Sequence, residues 1–186
     1  CYDDHHNWFQ IEFLEGKNPY KLYDAPLVEI PHEVVTEGPQ AGMLRLQPSG
    51  RVVYTHQYEL IQHFLTRRHA FIAGEMGVGK SLSALEAMER SGVTDWLVVA
   101  PASALISLKL EFAKWKSFLK PAFCTYSSLE KYISEWPSGK PVHQGLLLDE
   151  SAWIKTPTAK RTLASQHIAD SIRDEWGLQG YIIEMS

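Results

Sequence analysis

Eight residues, Gly74-Glu75-Met76-Gly77-Val78-Gly79-Lys80-Ser81, constrain the fold of this chain more than any other stretch. They sit between a short apolar run, 69–73, and a stretch in which Leu82, Leu85 and Met88 recur at helical spacing. A strand that turns through glycines into a helix start leaves a curl of backbone amides aimed at one point, where the helix dipole adds positive potential. Gly, four residues, then Gly-Lys-Ser is the spacing of a phosphate cradle. Gly74, Glu75, Met76, Gly77, Val78 and Gly79 would wrap a nucleotide's phosphates, Lys80 would reach the β and γ oxygens, and Ser81 would hold Mg²⁺. Strand, loop and helix in that order call for an α/β fold with a parallel sheet flanked by helices.

The rest of the chain fits that expectation. Apolar runs at 69–73, 96–100, 123–126, 145–149 and 181–185 read as strands. Leu105, Leu108, Phe112 and Trp115 recur at spacings of three and four, which gives one helix an apolar face toward the sheet. Thr156-Pro157 reads as the N-cap and first turn of a helix through Ile168, because Pro lacks only an amide that is unpaired there. The first 53 residues differ in texture. They carry Pro19, Pro26, Pro31, Pro39 and Pro48 with short β-prone runs, and 43–47 and 51–54 flank Pro48-Ser49-Gly50 as a hairpin would. Residues 1–53 thus read as a β-rich accessory segment and 54–186 as the nucleotide-binding lobe.

Composition narrows the classes. At 186 residues, 45% hydrophobic and 22% charged, with no long apolar run, the chain reads as one soluble domain without a membrane span. Cys1 and Cys124 are too few for a disulfide framework or a cysteine zinc site, and no secretory signal is visible, so an intracellular location is expected. A net charge of −4 argues against a module that coats DNA over its whole surface. Any nucleic acid must be gripped locally.

The second half of the site is Leu146-Leu147-Leu148-Asp149-Glu150, an apolar strand that delivers two carboxylates to the sheet edge where ligands bind. Asp149 would ligand Mg²⁺, directly or through water, and Glu150 would orient and deprotonate an attacking water. Lys80, Asp149 and Glu150 are therefore the candidate catalytic residues, with Ser81 and Asp149 at the metal.

A family resemblance rests on these and four further segments. Gly74 to Ser81, with Glu75-Met76-Gly77 inside it, looks like motif I of the Swi/Snf-type branch of superfamily-two helicases. Val98-Val99-Ala100-Pro101-Ala102-Ser103-Ala104-Leu105 with Glu111-Phe112-Ala113-Lys114-Trp115 resembles motif Ia, and Tyr126-Ser127-Ser128-Leu129 resembles motif Ib. Asp149-Glu150-Ser151-Ala152-Trp153-Ile154-Lys155 followed by Lys160-Arg161-Thr162 resembles motif II, and Met185-Ser186 stands where motif III would begin. Gln57, read as lying just ahead of a helix over 58–68, is similar to the glutamine that recognises adenine in that family, which would select ATP. Two departures stand out. Ala152 replaces the usual motif II histidine, and Tyr54-Thr55-His56 stands where an arginine commonly precedes the glutamine.

The resemblance implies a RecA-like lobe of an ATP-driven motor that couples hydrolysis to movement on nucleic acid, double-stranded DNA first among the candidates. It also implies a second RecA-like lobe, in the same parent chain, that donates arginines to the γ-phosphate. The 186 residues alone are then expected to bind ATP and hydrolyse it weakly. Pro101, Ala102, Ser103, Tyr126, Ser127 and Ser128 match segments that touch the phosphate backbone of a tracked strand, and Lys155, Lys160 and Arg161 lie just past motif II. Two other readings remain open from sequence: an ATP-binding recruitment or switch module without motor activity, and a P-loop phosphotransferase.

Overall fold

A computed structural model describes residues 25–75, 77–137 and 143–186. The first 24 residues of the accessory segment, and Met76 of the glycine-rich loop, lie outside the described residues. Among the described residues, eight strands and five α-helices follow in the order β1 (His32–Val34), β2 (Leu44–Leu46), β3 (Val52–Val53), α1 (Thr55–Arg67), β4 (His69–Ile72), α2 (Lys80–Arg90), β5 (Trp96–Ala100), α3 (Ala102–Lys114), β6 (Ala122–Thr125), α4 (Leu129–Ser134), β7 (Gly145–Leu148), α5 (Lys160–Trp176) and β8 (Tyr181–Met185). Among the described residues no helix is long and apolar enough to cross a membrane.

Strands β4 to β8 form one parallel sheet in the order β4-β8-β7-β5-β6. The strands it buries most deeply carry near-continuous apolar runs, as strands covered on both faces must. Alternation assigns each side chain to a face. Trp96, Val98 and Ala100 of β5, Leu147 of β7 and Ile183 of β8 pack with α1, α2 and α3. Leu97, Val99, Leu146, Leu148 and Ile182 pack with α4 and α5. This division follows from the path of the chain. It runs outward from β4 through β5 to β6, then back through β7 to β8, and right-handed crossovers put the outward helices on one face and the returning helices on the other. The backbone leaving β4 therefore turns toward one face and that leaving β7 toward the other. In open sheets of this kind ligands bind at such a divergence, which here lies at the carboxyl edge over the end of β8.

Helix α3 presents Leu108 and Phe112 to the core, with Leu105 and Trp115 packed against it, as the spacing predicts. Helix α5 departs from expectation at both ends. Thr156 and Pro157 lie in a turn closed by the Ala159 amide on the Thr156 carbonyl at 3.1 Å, and the helix starts at Lys160 behind an Ala159 N-cap. It runs on past Ile168 because Ala169 and Ile172 continue the buried stripe, and it stops where Gly177 takes φ 53°.

The expected hairpin is present as β2 and β3, with Leu44 opposite Val53, and β1 completes a small antiparallel sheet. Ile30, Leu44, Leu46 and Val53 belong to the same core as α1 and α2. Polar ties reinforce the packing: the Gln62 side chain donates to the Val28 carbonyl at 2.9 Å, and the Tyr58 hydroxyl bonds both backbone groups of Ile30 at 3.3 Å.

Candidate functional site

The loop after β4 curls as the glycine spacing requires. Gly77 has φ 85° and Gly79 φ 83°, left-handed conformations that a side chain resists, and α2 begins at the next residue with its amides open to the edge. Gly79 is needed on a second count. A Cβ there would lie 1.9 Å from Gln57 Nε2. Gly74, Glu75 and Gly77 are exposed, and Val78, Lys80 and Ser81 are half-buried. The Lys80 ammonium folds over the loop and donates to the carbonyls of Gly74 and Glu75. Its charge also reaches the Asp149 carboxylate, where it favours ionisation.

The acids arrive from β7. Strands β4 and β7 are both neighbours of β8, so the loop and the acids start two strand spacings apart, roughly 10 Å. The Gly74 amide donates to the Ser186 carbonyl at 3.0 Å and the Ser186 amide to Ile72 at 3.0 Å, which fastens the loop to the end of β8. The Asp149 amide donates to Val99 at 2.8 Å, and Glu150 then takes a left-handed φ of 53°. That conformation costs a non-glycine residue about 1–2 kcal/mol, and it turns the chain sharply enough to leave both acids at the rim. Desolvation, followed by the neighbouring Glu150 charge, pushes the Asp149 carboxyl above the ordinary 3.8. Two carboxylates crowded in this way are a site that a divalent cation would relax.

Two other groups shape this rim. Tyr126, buried at 3% exposure, donates its hydroxyl to the Asp149 carbonyl at 2.9 Å. The candidate nucleic-acid residue Tyr126 thus faces the acid loop, while Ser127 is exposed and Ser128 bonds Thr125 through its hydroxyl at 2.6 Å. Pro101 is buried at the start of α3 with Ala102 and Ser103 exposed beside it. Glu184 of β8 sits opposite Leu148 and its carboxyl is bonded by the Ser151 side chain. Burial pushes that carboxyl up to about 7 against the pull of Ser151 and Arg173. Sequence reasoning missed Glu184; the signal was one acid in the otherwise apolar run Tyr181-Ile182-Ile183-Glu184-Met185.

Gln57 lies inside α1, in its first turn, and is 7% exposed. Its Oε1 accepts from the Tyr54 amide at 3.0 Å, closing the start of the helix, and its Nε2 donates to the Val78 carbonyl at 3.2 Å. His56 also bonds Val78 at 3.1 Å. Helix α1 is thereby tied to the glycine-rich loop through Gln57.

The structure therefore brings Gly74, Gly77, Gly79, Lys80, Ser81, Asp149 and Glu150 to one edge of a parallel α/β sheet, with Gln57 behind the loop. Neither the comparison with protein-family models nor that with curated proteins returned a match for this chain.

Proposed function

We propose that this chain is an ATP-binding, RecA-like lobe of a nucleic-acid-dependent ATPase resembling the Swi/Snf-type helicases and translocases. The observation that carries the reading is the meeting of the amide curl at 77–80 with Asp149 and Glu150 at one carboxyl edge, close enough for the Lys80 charge to act on Asp149. A loop with two left-handed glycines and a crowded carboxylate pair is a donor set that fits a magnesium triphosphate. Among the described residues no group of three or more His, Cys, Asp or Glu could hold a metal ion. An ion at Ser81 and Asp149 would accordingly take most of its ligands from phosphate oxygens and water, as Mg²⁺ ordinarily does.

In this reading the amides of 77–80 and the start of α2 bind the β-phosphate, and Lys80 exchanges its carbonyl partners for β and γ oxygens. Bound there, Mg²⁺ would neutralise charge that develops across those oxygens. Glu150, exposed at the rim, orients a water and takes its proton. Tyr126 and Ser151 hold the acid loop from beneath. Arginines from a second lobe, expected in the parent protein, would supply about 10³- to 10⁵-fold in rate, so these residues alone turn over ATP slowly.

Glu150→Gln tests the assignment. The variant should keep ATP affinity within about twofold while nucleic-acid-stimulated turnover of the parent protein falls by about 10²-fold or more. Turnover that survives the substitution would remove Glu150 from the chemistry and favour a binding module without motor activity.

A further inference from the structure

Trp153 is 49% exposed, three residues beyond Glu150, in a one-turn 3₁₀ segment whose Ser151 and Ile154 are buried. The turn is anchored from below and holds the indole outward. Arg161, from the first turn of α5, lays its guanidinium over the ring with Cζ 5.6 Å from the centroid and donates Nε to the Trp153 carbonyl at 2.5 Å. Lys155 and Lys160 are exposed as well, both further along the chain between Trp153 and Arg161. Lys160 pairs loosely with Glu130 at 3.7 Å, both side chains being largely in water. Glu130 stands in the first turn of α4, directly after the turn Tyr126–Ser128, so the basic cluster adjoins the exposed Ser127.

These features combine a large aromatic surface with three cations on one rim. A solvated helix face has no use for an exposed indole, and an apolar protein contact has no use for three flanking charges. A nucleic-acid strand uses both: any base can stack on the ring, and the phosphates on either side meet the lysines and the arginine. We propose that Trp153, with Lys155, Lys160 and Arg161, forms a docking surface for one strand of nucleic acid, with a base stacked at the indole. The inference rests on the nucleic-acid-dependent reading above and deepens it by assigning a surface outside the segments at 101–103 and 126–128. It also gives the strand a short route to the chemistry. The Trp153 amide donates to the Glu150 carbonyl at 3.0 Å, so whatever fixes the indole also fixes the backbone that carries the catalytic acid.

The test is binding of a fluorescent single-stranded oligothymidylate to the full chain, followed by anisotropy at two salt concentrations, with ATP affinity measured in parallel. Trp153→Ala should weaken oligonucleotide binding about tenfold and Trp153→Phe should restore most of it. Lys155→Ala or Arg161→Ala should weaken binding and flatten its salt dependence. ATP affinity should stay within about twofold in each variant. Trp153→Ala binding the oligonucleotide as the unaltered chain does would overturn the proposal and point to a protein partner at this rim; so would an unaltered chain that binds ATP but no oligonucleotide. An unaltered chain that binds oligonucleotide through Trp153 but no ATP would instead count against the nucleotide site and leave this surface standing.

Discussion

Gly79 is where the loop is least tolerant of change. Its φ of 83° and the Gln57 amide 1.9 Å from its missing Cβ act together, whereas Gly77 carries the same conformational demand with nothing within 4 Å. Gly79→Ala should therefore lower stability by about 2–3 kcal/mol and weaken ATP binding, Gly77→Ala by about 1 kcal/mol, and Gln57→Ala should relieve part of the former defect only. Urea unfolding of the three variants and the Gln57→Ala/Gly79→Ala pair checks this order. A second residue-scale effect concerns two groups near Arg173. Burial raises Glu184 from 4.5 to about 7 and lowers His69 from 6.5 to about 4, with Arg173 acting on both. A raised carboxyl favours the folded state most below its unfolded pKa, and that contribution is lost as pH rises from 4.5 to about 7. A lowered histidine works the other way, its cost fading as pH rises from about 4 to 6.5. Each is worth about 3 kcal/mol, and they oppose one another across the shared window. Glu184→Gln should thus make stability climb between pH 4 and 6.5, and His69→Gln should make it fall between pH 4.5 and 7, while the unaltered chain stays flatter than either. Denaturation midpoints that change in parallel across pH for all three chains would contradict this.

At the scale of elements, the small sheet is bolted to α2, the helix that starts at the glycine-rich loop. Arg51 of the hairpin reaches Glu86 and Glu89 at 2.5 Å each, then Glu89 again at 3.1 Å and the Trp115 carbonyl at 2.9 Å. Ser49 and Arg90 bond the other Glu86 oxygen at 2.8 Å each. Burial pulls the Glu86 carboxyl upward, but these bonds hold it below its ordinary range. Removing the arginine takes away both bonds described for Glu89 and leaves Glu86 to Arg90 and Ser49, so Arg51→Met should cost about 3 kcal/mol in thermal or urea unfolding, and a loss under about 0.5 kcal/mol would refute the clamp. The strands of the parallel sheet and helices α2 and α3 were legible because each carries its own pattern, β5 being apolar at every position and α3 repeating at three and four, whereas the six-residue α4 was not read. The start of α5 was not, since Thr156-Pro157 is as good a turn as a helix start and only packing of Ala164 and Ile168 on the sheet decides between them. The Arg51 clamp was equally hidden, because it joins residues 35 and 38 positions apart that no local pattern pairs.

At the scale of the whole molecule, outward and returning helices lie on opposite faces, so the chain leaves β4 and β7 toward opposite sides, and both halves of the candidate site lie at that carboxyl edge. The loop and the acid pair were readable as motifs, because glycine spacing and a terminal Asp-Glu are local. That they belong to one site was read from the two motifs together; the strand order that brings them to one edge was not, since it depends on β8, the last strand in sequence, inserting between the first and fourth strands of the sheet. The most direct test of that convergence is calorimetric titration of ATP, with and without Mg²⁺, into the unaltered chain, Lys80→Ala and Asp149→Asn. The account predicts that Lys80→Ala loses about 10- to 100-fold in affinity under both conditions, and that Asp149→Asn loses only the part of the affinity that Mg²⁺ adds. If the magnesium-dependent gain is as large in Asp149→Asn as in the unaltered chain, the acids and the phosphate loop do not share an ion and the account is wrong.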